Sequence, residues 1–217
     1  MYITDDGKTR IYIHLEKGRT SPYLGIAVNG TADVDWGDGT AHATVTGTSD
    51  STSINMLHDY PDATGDYIIT IDVTGRMTLI GTSSSIGSRL LWKNNSTAQN
   101  ENRAYSNAVR QVEIGSNTVI GNNAFRACFS LSSITIPDYV TRIGLSAFYQ
   151  CYSLGNITIP DSVTNIGSSA FYYCYGLENI TIPDSVTSIM NNTFYNCYRL
   201  DNITIPDSVT NITSNVF

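Results

Sequence analysis

Apolar and polar positions repeat with a constant period through the second half of the chain. Within one unit, Ile157 and Ile159 alternate with Thr158 in the two-residue period of a β-strand, and Leu154 points to the same side as the two isoleucines. The same apolar positions recur 23 residues later, and each unit carries only one apolar face. Because one unit cannot bury that face alone, the pattern predicts a solenoid of stacked coils. Three sets of residues mark the period: Cys128, Cys151, Cys174 and Cys197; Leu131, Leu154, Leu177 and Leu200; and Pro137, Pro160, Pro183 and Pro206.

The remainder of each unit predicts a turn, a second short strand and one turn of helix. The segment 160–162, Pro-Asp-Ser, consists of turn residues, and the strand-like run 163–166 follows it. Ala170, Phe171 and Cys174 are spaced as they would be on the apolar edge of one helical turn. A shorter, looser copy begins at Val109, so the solenoid is expected to span residues 109–217.

Residues 1–85 contain no repeat and predict a separate domain. Short alternating runs separated by turn residues are typical of a β-sandwich. The segment VDWGDGT, residues 34–40, places Asp38 and Gly39 between two such runs and predicts a β-hairpin. Residues 86–108 are mostly polar and aperiodic, and we expect them to form an irregular connector or an N-terminal cap on the solenoid.

Two resemblances follow from these motifs. The repeat L-x-x-I-T-I-P-D-S-V-T-x-I-G-x-x-A-F-x-x-C resembles the BspA-type leucine-rich repeat of bacterial surface and secreted proteins. The WGDGT hairpin, followed by HDY and a Y-x-I-x-I-type strand up to Val73, resembles a PKD-type immunoglobulin-like domain. The fold class is therefore predicted to be mainly β, an Ig-like or PKD-like sandwich followed by the solenoid. The resemblance implies an extracellular binding or adhesion role without catalysis.

Composition agrees with a protein that does not bind nucleic acid or span a membrane. The formal net charge is −7, only 14% of residues are charged, and no segment forms a basic surface. No apolar run reaches the roughly 18 residues of a membrane helix. The start, MYITDDGKTR, lacks the apolar core of a signal peptide, so for a secreted or surface protein the signal is expected upstream or already removed. The last unit stops at Phe217, where earlier units continue, so the C-terminus is expected to be truncated.

No catalytic residue, cofactor or metal site is predicted. The cysteines form no C-x-x-C pair, and the three histidines lack H-x-H or H-E-x-x-H spacing. Asp35 and Asp38 could meet a calcium ion, although a hairpin explains Asp38 without one. Equivalent cysteines on stacked coils are about 4.8 Å apart, but parallel side chains seldom reach disulfide torsion, so buried free thiols are expected.

Two rows of exposed residues are candidate ligand-binding elements. One is the strand face, where amides stack beside hydroxyls, and the other is a file of tyrosines on the outer side of the predicted helical turn. Each row could instead only stabilise the stack. The expected partner is a host or bacterial surface protein or a glycan, and the alternative is a structural stalk or spacer in a larger surface protein. The residues are Asn156, Asn179, Asn202, Thr158, Thr181, Thr204, Tyr149, Tyr172 and Tyr195.

Overall fold

A computed structural model of the 217-residue chain describes residues 6–16, 21–60, 64–79, 90–92, 105 and 107–217. The N-terminal part contains one antiparallel arrangement centred on its second strand, which pairs with the third, fourth and fifth strands. The fourth strand also pairs with the first. The strands are β1 (Thr9–Leu15), β2 (Tyr23–Asp35), β3 (Ala43–Leu57), β4 (Gly65–Leu79) and β5 (Leu91–Trp92).

Alternation in these strands buries one face, as the sequence pattern predicts. In β1, for example, Ile11, Ile13 and Leu15 are buried while the residues between them are partly exposed. The predicted hairpin around Asp38 connects β2 to β3. All five N-terminal strands lie in one hydrogen-bonded sheet, and a two-sheet Ig-like or PKD-like sandwich is not shown by the described residues.

The repeats form a solenoid with two parallel ladders of short strands. The first ladder contains the L-x-x-I-x-I segments, and the second contains the strand after each Pro-Asp turn. Each coil is therefore built from the two strands that the sequence pattern predicts. The strands are β6 (Val109–Glu113), β7 (Thr118–Ile120), β8 (Ser133–Thr135), β9 (Arg142–Ile143), β10 (Asn165–Ile166), β11 (Asn179–Thr181), β12 (Ser188–Ile189), β13 (Asn202–Thr204) and β14 (Asn211–Ile212).

Both ladders continue directly into the N-terminal sheet. The free edge of β1 pairs with β6 through Ile11 and Val112, and the end of β4 pairs with β7 through Thr78 and Val119. The first repeat therefore stacks on backbone hydrogen-bonding groups supplied by the N-terminal sheet. The predicted division at residues 1–85, 86–108 and 109–217 stays a prediction, and most of 86–108 lies outside the described residues.

The predicted helical turn is wrong. No residue from 107 to 217 lies in a helix, and the segment after each second strand is a series of tight turns. Ser146 and Gln150 adopt left-handed backbone conformations, with φ of 51° and 62°, which a right-handed helix excludes. The equivalent residues of the other coils do the same: Asn123, Ser169, Asn192 and Asn215, and Ala127, Tyr173 and Asn196.

Hydrogen bonds between coils explain these turns. The amide of Phe148 donates to Ala170 O at 2.8 Å in the next coil, and the amide of Gln150 donates to Tyr172 O at 2.7 Å. The alternate amides, such as that of Cys151, instead donate within their own coil, here to Phe148 O. A helix would direct every amide along its own axis, so the turns gain a third inter-coil ladder that a helix would forfeit.

Stacked phenylalanines fill the centre of the solenoid. Phe171 lies between Phe148 and Phe194, with ring centroids 5.3 and 5.5 Å away. The cysteines lie beside them as free thiols, and Cys174 Sγ donates to Phe148 O at 3.1 Å. Burial raises the pKa of the Cys174 thiol well above its ordinary value, so this thiol stays protonated and is a poor nucleophile.

Candidate functional site

The three predicted tyrosines form one stacked file on the turn side of the solenoid. The Tyr149 and Tyr172 rings are 4.8 Å apart and nearly parallel, at an interplanar angle of 1°. Tyr195 continues the stack 5.2 Å from Tyr172. All three side chains are half-buried. The Arg126 guanidinium covers the end of the file, with Cζ 4.0 Å from the Tyr149 centroid, a cation–π contact. We call Tyr149, Tyr172 and Tyr195 the first aromatic file.

A second aromatic file runs beside the first and was missed by the sequence reasoning. Its rings are stacked at centroid distances of 4.9, 4.8 and 5.4 Å. The signal was present in the sequence, because each of its members directly follows a cysteine of the 23-residue repeat. The second aromatic file consists of Phe129, Tyr152, Tyr175 and Tyr198.

Tyr173 joins the two files. Its ring meets Tyr172 edge-on at 4.3 Å and lies tilted at 5.5 Å from Tyr175. Its left-handed backbone, with φ of 59°, turns this side chain between the files. Desolvation, together with a hydrogen bond to Tyr173, raises the pKa of Tyr172 to about 12. Tyr172 therefore presents a neutral hydroxyl at physiological pH.

Stacking determines which parts of the rings a ligand could reach. A ring in the middle of a file, such as Tyr172, has both faces against neighbouring rings, so a ligand could contact only its edge and its hydroxyl. Ring edges carry the positive part of the aromatic quadrupole, and a phenol both donates and accepts hydrogen bonds. The files can thus contact oxygen-rich groups along the solenoid axis, but they cannot take a flat ligand between their rings.

The predicted Asn and Thr rows lie exposed on the first ladder. Asn179 is in register with Asn202 and bridges to Asn156. The Asn202 amide nitrogen donates to Asn179 Oδ1 at 3.2 Å, so part of this row is engaged within the ladder. Thr158, Thr181 and Thr204 are exposed beside it. Only three residues separate Tyr175 from Asn179, so the second aromatic file adjoins this strand face along the chain.

A separate polar-aromatic cluster stabilises the β2–β3 hairpin. Asp38, whose side chain is only 4% exposed, accepts hydrogen bonds from Thr40 and from His58 Nε2 at 2.8 Å. Burial raises the pKa of Asp38, but the hydrogen bonds from Thr40 and His58 together lower it by more than burial raises it, so the net shift is downward. His58 stacks on Trp36 at 4.6 Å, and Tyr60 donates its hydroxyl to Trp36 O. These contacts explain Asp38 as a structural residue.

The described residues contain no group of three or more His, Cys, Asp or Glu side chains that could hold a metal ion. A search of the described part of the chain for helices long and apolar enough to cross a membrane found none.

Comparisons with known proteins identify the repeat. The family model described as the BspA type leucine rich repeat region matches residues 101–217 in six copies. No curated protein matches the chain. Solved structures that are similar to part of this chain include a leucine-rich repeat protein from Bacteroides ovatus. It is 37% identical over 46% of this chain and 26% of that one, with a TM-score of 0.44.

Two further structures are similar over part of their length. A leucine-rich repeat protein of T. pallidum is 28% identical over 47% of this chain and 59% of that one, with a TM-score of 0.39. A leucine-rich cell surface protein from Faecalibacterium prausnitzii is 26% identical over 63% of this chain and 38% of that one, with a TM-score of 0.43. The chain thus spans less than two thirds of each of these three proteins. Because the repeat model covers more than half of the chain, the chain belongs to the BspA-type leucine-rich repeat family.

Proposed function

We propose that this chain is a non-catalytic recognition module of a bacterial cell-surface or secreted protein, and that its solenoid binds an extended protein or glycan. The observation that supports this proposal is the pair of aromatic files joined by Tyr173. They place repeated phenol groups on one side of the molecule at intervals close to the coil spacing. The BspA-type repeat is consistent with the same role.

Repetition favours an extended ligand over a compact one. Each coil offers a nearly identical small contact, and one such contact competes poorly with water because a single hydrogen bond contributes only about 1 kcal/mol. A ligand that spans several coils adds such contacts without a separate association step. Affinity should therefore rise with ligand length.

The two predicted rows suit complementary parts of such a ligand. The first aromatic file presents ring edges and hydroxyls, which contact carbonyl or sugar oxygens. The Asn and Thr row presents amides and hydroxyls on exposed strand positions. Tyrosine is the stronger contributor, because a ring already held by its neighbours loses little conformational entropy on binding. In this proposal the N-terminal sheet serves as a spacer or a second contact, and its PKD-like character stays a prediction.

The alternative is a structural stalk. The stacked ring faces and the bond from Asn202 to Asn179 favour it, because these groups stabilise neighbouring coils without any ligand. In that case the rows would contribute only to stability, and replacing their residues would not change the affinity for any ligand.

Binding to a ligand length series separates the two functions. The intact chain is titrated with proline-rich peptides and β-glucan oligosaccharides, each from two units to eight or more, and the dissociation constant is measured by calorimetry. Two triple variants are compared: Tyr149, Tyr172 and Tyr195 all changed to alanine, and the same three changed to phenylalanine. The phenylalanine variant keeps the stacked rings and removes only the hydroxyls.

If the chain is a recognition module, its affinity should increase with ligand length. Both triple variants should reduce that affinity, and the alanine variant should reduce it more strongly. Tyr23 of β2 in the N-terminal sheet, changed to phenylalanine, provides a control that should leave binding unchanged. If neither ligand series binds more tightly with length, or if the folded alanine variant binds as well as the parent, the recognition proposal for this face fails and the stalk remains.

A further inference from the structure

The outer edge of β3 offers a row of backbone hydrogen-bonding groups to a further strand. Among the described residues, β3 pairs with β2 and with no other strand. Its register with β2 shifts at residues 50–52, so the preceding residues 43–49, ATVTGTS, form one uninterrupted stretch of strand. We call residues 43–49 the edge segment. An unpaired strand edge of this kind is a template on which another strand can pair.

The edge segment lacks the side chains that keep strand edges apart. Natural edge strands are commonly protected by lysine, by proline or by inward-pointing charges. The edge segment contains no charged residue and no proline, and its exposed side chains are those of Thr44, Thr46 and Thr48. By contrast, β1 contains Arg10 and His14, although both of its edges are already paired. The side chains of the edge segment therefore do not oppose backbone pairing with a further strand.

The sequence of the edge segment is complementary to a second copy of itself. Antiparallel pairing of two copies about Thr46 sets Thr46 opposite Thr46, and Thr44 opposite Thr48. Such a hydroxyl pair already occurs within the sheet, because Thr46 Oγ1 lies 3.4 Å from Thr31 Oγ1 on β2. Threonine pairs across neighbouring strands stabilise a sheet, and a two-fold axis through Thr46 makes every such pair occur twice or on the axis.

A pocket of about 240 Å³ beside the edge segment fits the same arrangement. Gly47 lines this pocket, and a Cβ atom at Gly47 would lie 2.3 Å from Val28 O, so a side chain here would collide with β2. Pairing about Thr46 sets Val45 of the second copy opposite Gly47. Directly opposed residues have Cβ positions about 4.5 to 5.5 Å apart. The valine of each copy can therefore fill the space that the glycine of the other copy leaves.

Backbone hydrogen bonds would supply most of the interaction between the two copies. Two seven-residue segments in antiparallel pairing exchange about six to eight N–H···O bonds. The residues that flank the segment in the chain, His42 and Asp50, take opposed positions, so no like charges are set directly opposite each other. Such a contact is small beside the roughly 1,200 to 2,000 Å² that stable complexes bury, so we expect a dissociation constant above about 1 µM.

We propose that this chain forms a two-fold symmetric dimer with a second copy of itself, by antiparallel pairing of the two edge segments about Thr46. The N-terminal sheet then continues across the two-fold axis, from β2 and β3 of one copy into β3 and β2 of the other. The interface contains no residue of the aromatic files or of the Asn and Thr row. The inference therefore goes beyond the proposed function and does not depend on it.

Sedimentation velocity of the intact chain, from about 5 µM to about 1 mM, measures the self-association. The expected result is a concentration-dependent increase from the monomer mass of 23.7 kDa toward twice that mass. Thr46→Lys should weaken dimerisation at least about tenfold, because like charges directly opposite each other are destabilising. Thr187→Lys adds the same charge at an exposed position of the solenoid and should dimerise like the parent. Both substitutions replace exposed residues, and circular dichroism checks that both variants fold.

Disulfide formation tests the register of the pairing. Thr46→Cys places the two introduced thiols opposite each other, with Cα atoms about 4.5 to 5.5 Å apart, a separation that a disulfide can bridge. Thr44→Cys leaves them roughly 13 Å apart along the strands, because Thr44 lies opposite Thr48. In a glutathione redox buffer, Thr46→Cys should therefore form covalent dimers at least about tenfold faster than Thr44→Cys. The double variant Thr44→Cys/Thr48→Cys restores opposed thiols and should also form covalent dimers rapidly.

Three results would each overturn the proposal. The first is a parent chain that remains monomeric over the whole concentration range. The second is an equal effect of Thr46→Lys and Thr187→Lys on dimerisation. The third is an equal rate of covalent dimer formation for Thr46→Cys and Thr44→Cys, which would indicate random collision instead of pairing about Thr46.

Discussion

Changing Phe171 to alanine should destabilise the protein more than any substitution on the outer face. Phe171 is fully buried, and it stacks on Phe148 on one side and on Phe194 on the other. Truncating a buried phenylalanine costs about 3 to 5 kcal/mol, from lost burial and from the cavity left behind. The hydrogen-bonded turn around it keeps the neighbouring coils apart, so the cavity cannot readily collapse, and we expect a loss of about 4 kcal/mol.

The matched control is Thr158→Ala. Thr158 is exposed on the first ladder, so its loss should change stability by no more than about 0.5 kcal/mol. Urea denaturation followed by far-UV circular dichroism measures the free energy of unfolding of both variants. Equal losses for the two substitutions would refute the assignment of inward and outward residues.

Tryptophan fluorescence extends the same experiment to the junction. Trp92 lies in β5 and Trp36 directly follows β2, so both belong to the N-terminal part, whose sheet pairs directly with the solenoid. Because the two parts share backbone hydrogen bonds, we expect Phe171→Ala to shift the tryptophan transition together with the circular dichroism transition. A tryptophan transition that stays at the parent urea concentration would show that the sheet and the solenoid unfold independently.

Three further predictions concern titration and reactivity. The native protein should react slowly with a thiol reagent, and Cys197, the least buried cysteine, should react first. After denaturation without reduction, four thiols should react, and a smaller number would indicate disulfides. Because the folded pKa of Tyr172 is raised to about 12, stability should be intact below pH 10 and fall between about pH 10 and 12, and a Tyr172→Phe variant should show a shallower fall. The pKa of Asp38 is lowered below 3.8, so its stabilising effect is present above that pH and lost in acid. The stability difference between the parent and Asp38→Asn should therefore shrink as the pH falls below about 4. A constant difference would contradict the hydrogen-bonded carboxylate.

The inward-facing residues of the solenoid could be predicted from the sequence because a stack of identical coils makes tertiary contacts periodic. Leu154, Ile157 and Phe171 are buried as their positions in the repeat require. The second aromatic file was equally periodic and could have been found by extending the comparison one residue past each cysteine. Because each coil contacts an identical neighbour, a contact in three dimensions recurs as a periodic pattern in the sequence, and the core residues could be predicted without a structure.

The turn segment shows where periodicity stops being sufficient. The apolar spacing of Ala170, Phe171 and Cys174 fits a helical turn and a tight-turn series equally well. The choice depends on whether alternate amides bond within the coil or to the next one, and the bond from Phe148 N to Ala170 O joins residues of different coils. Local spacing carries no information about that partner.

By itself, the sequence determined the repeat length, the strands of each coil, the buried columns and the family, because each of these depends on residues within one 23-residue period or its copies. Only the tertiary structure decided that β1 pairs with β6 and β4 with β7, which joins the N-terminal strands and the solenoid in one sheet. Those pairings connect the first repeat to strands that lie outside the repeat and far away in the chain. Their energies depend on backbone groups that every residue type shares, so no pattern of side chains specifies them in advance.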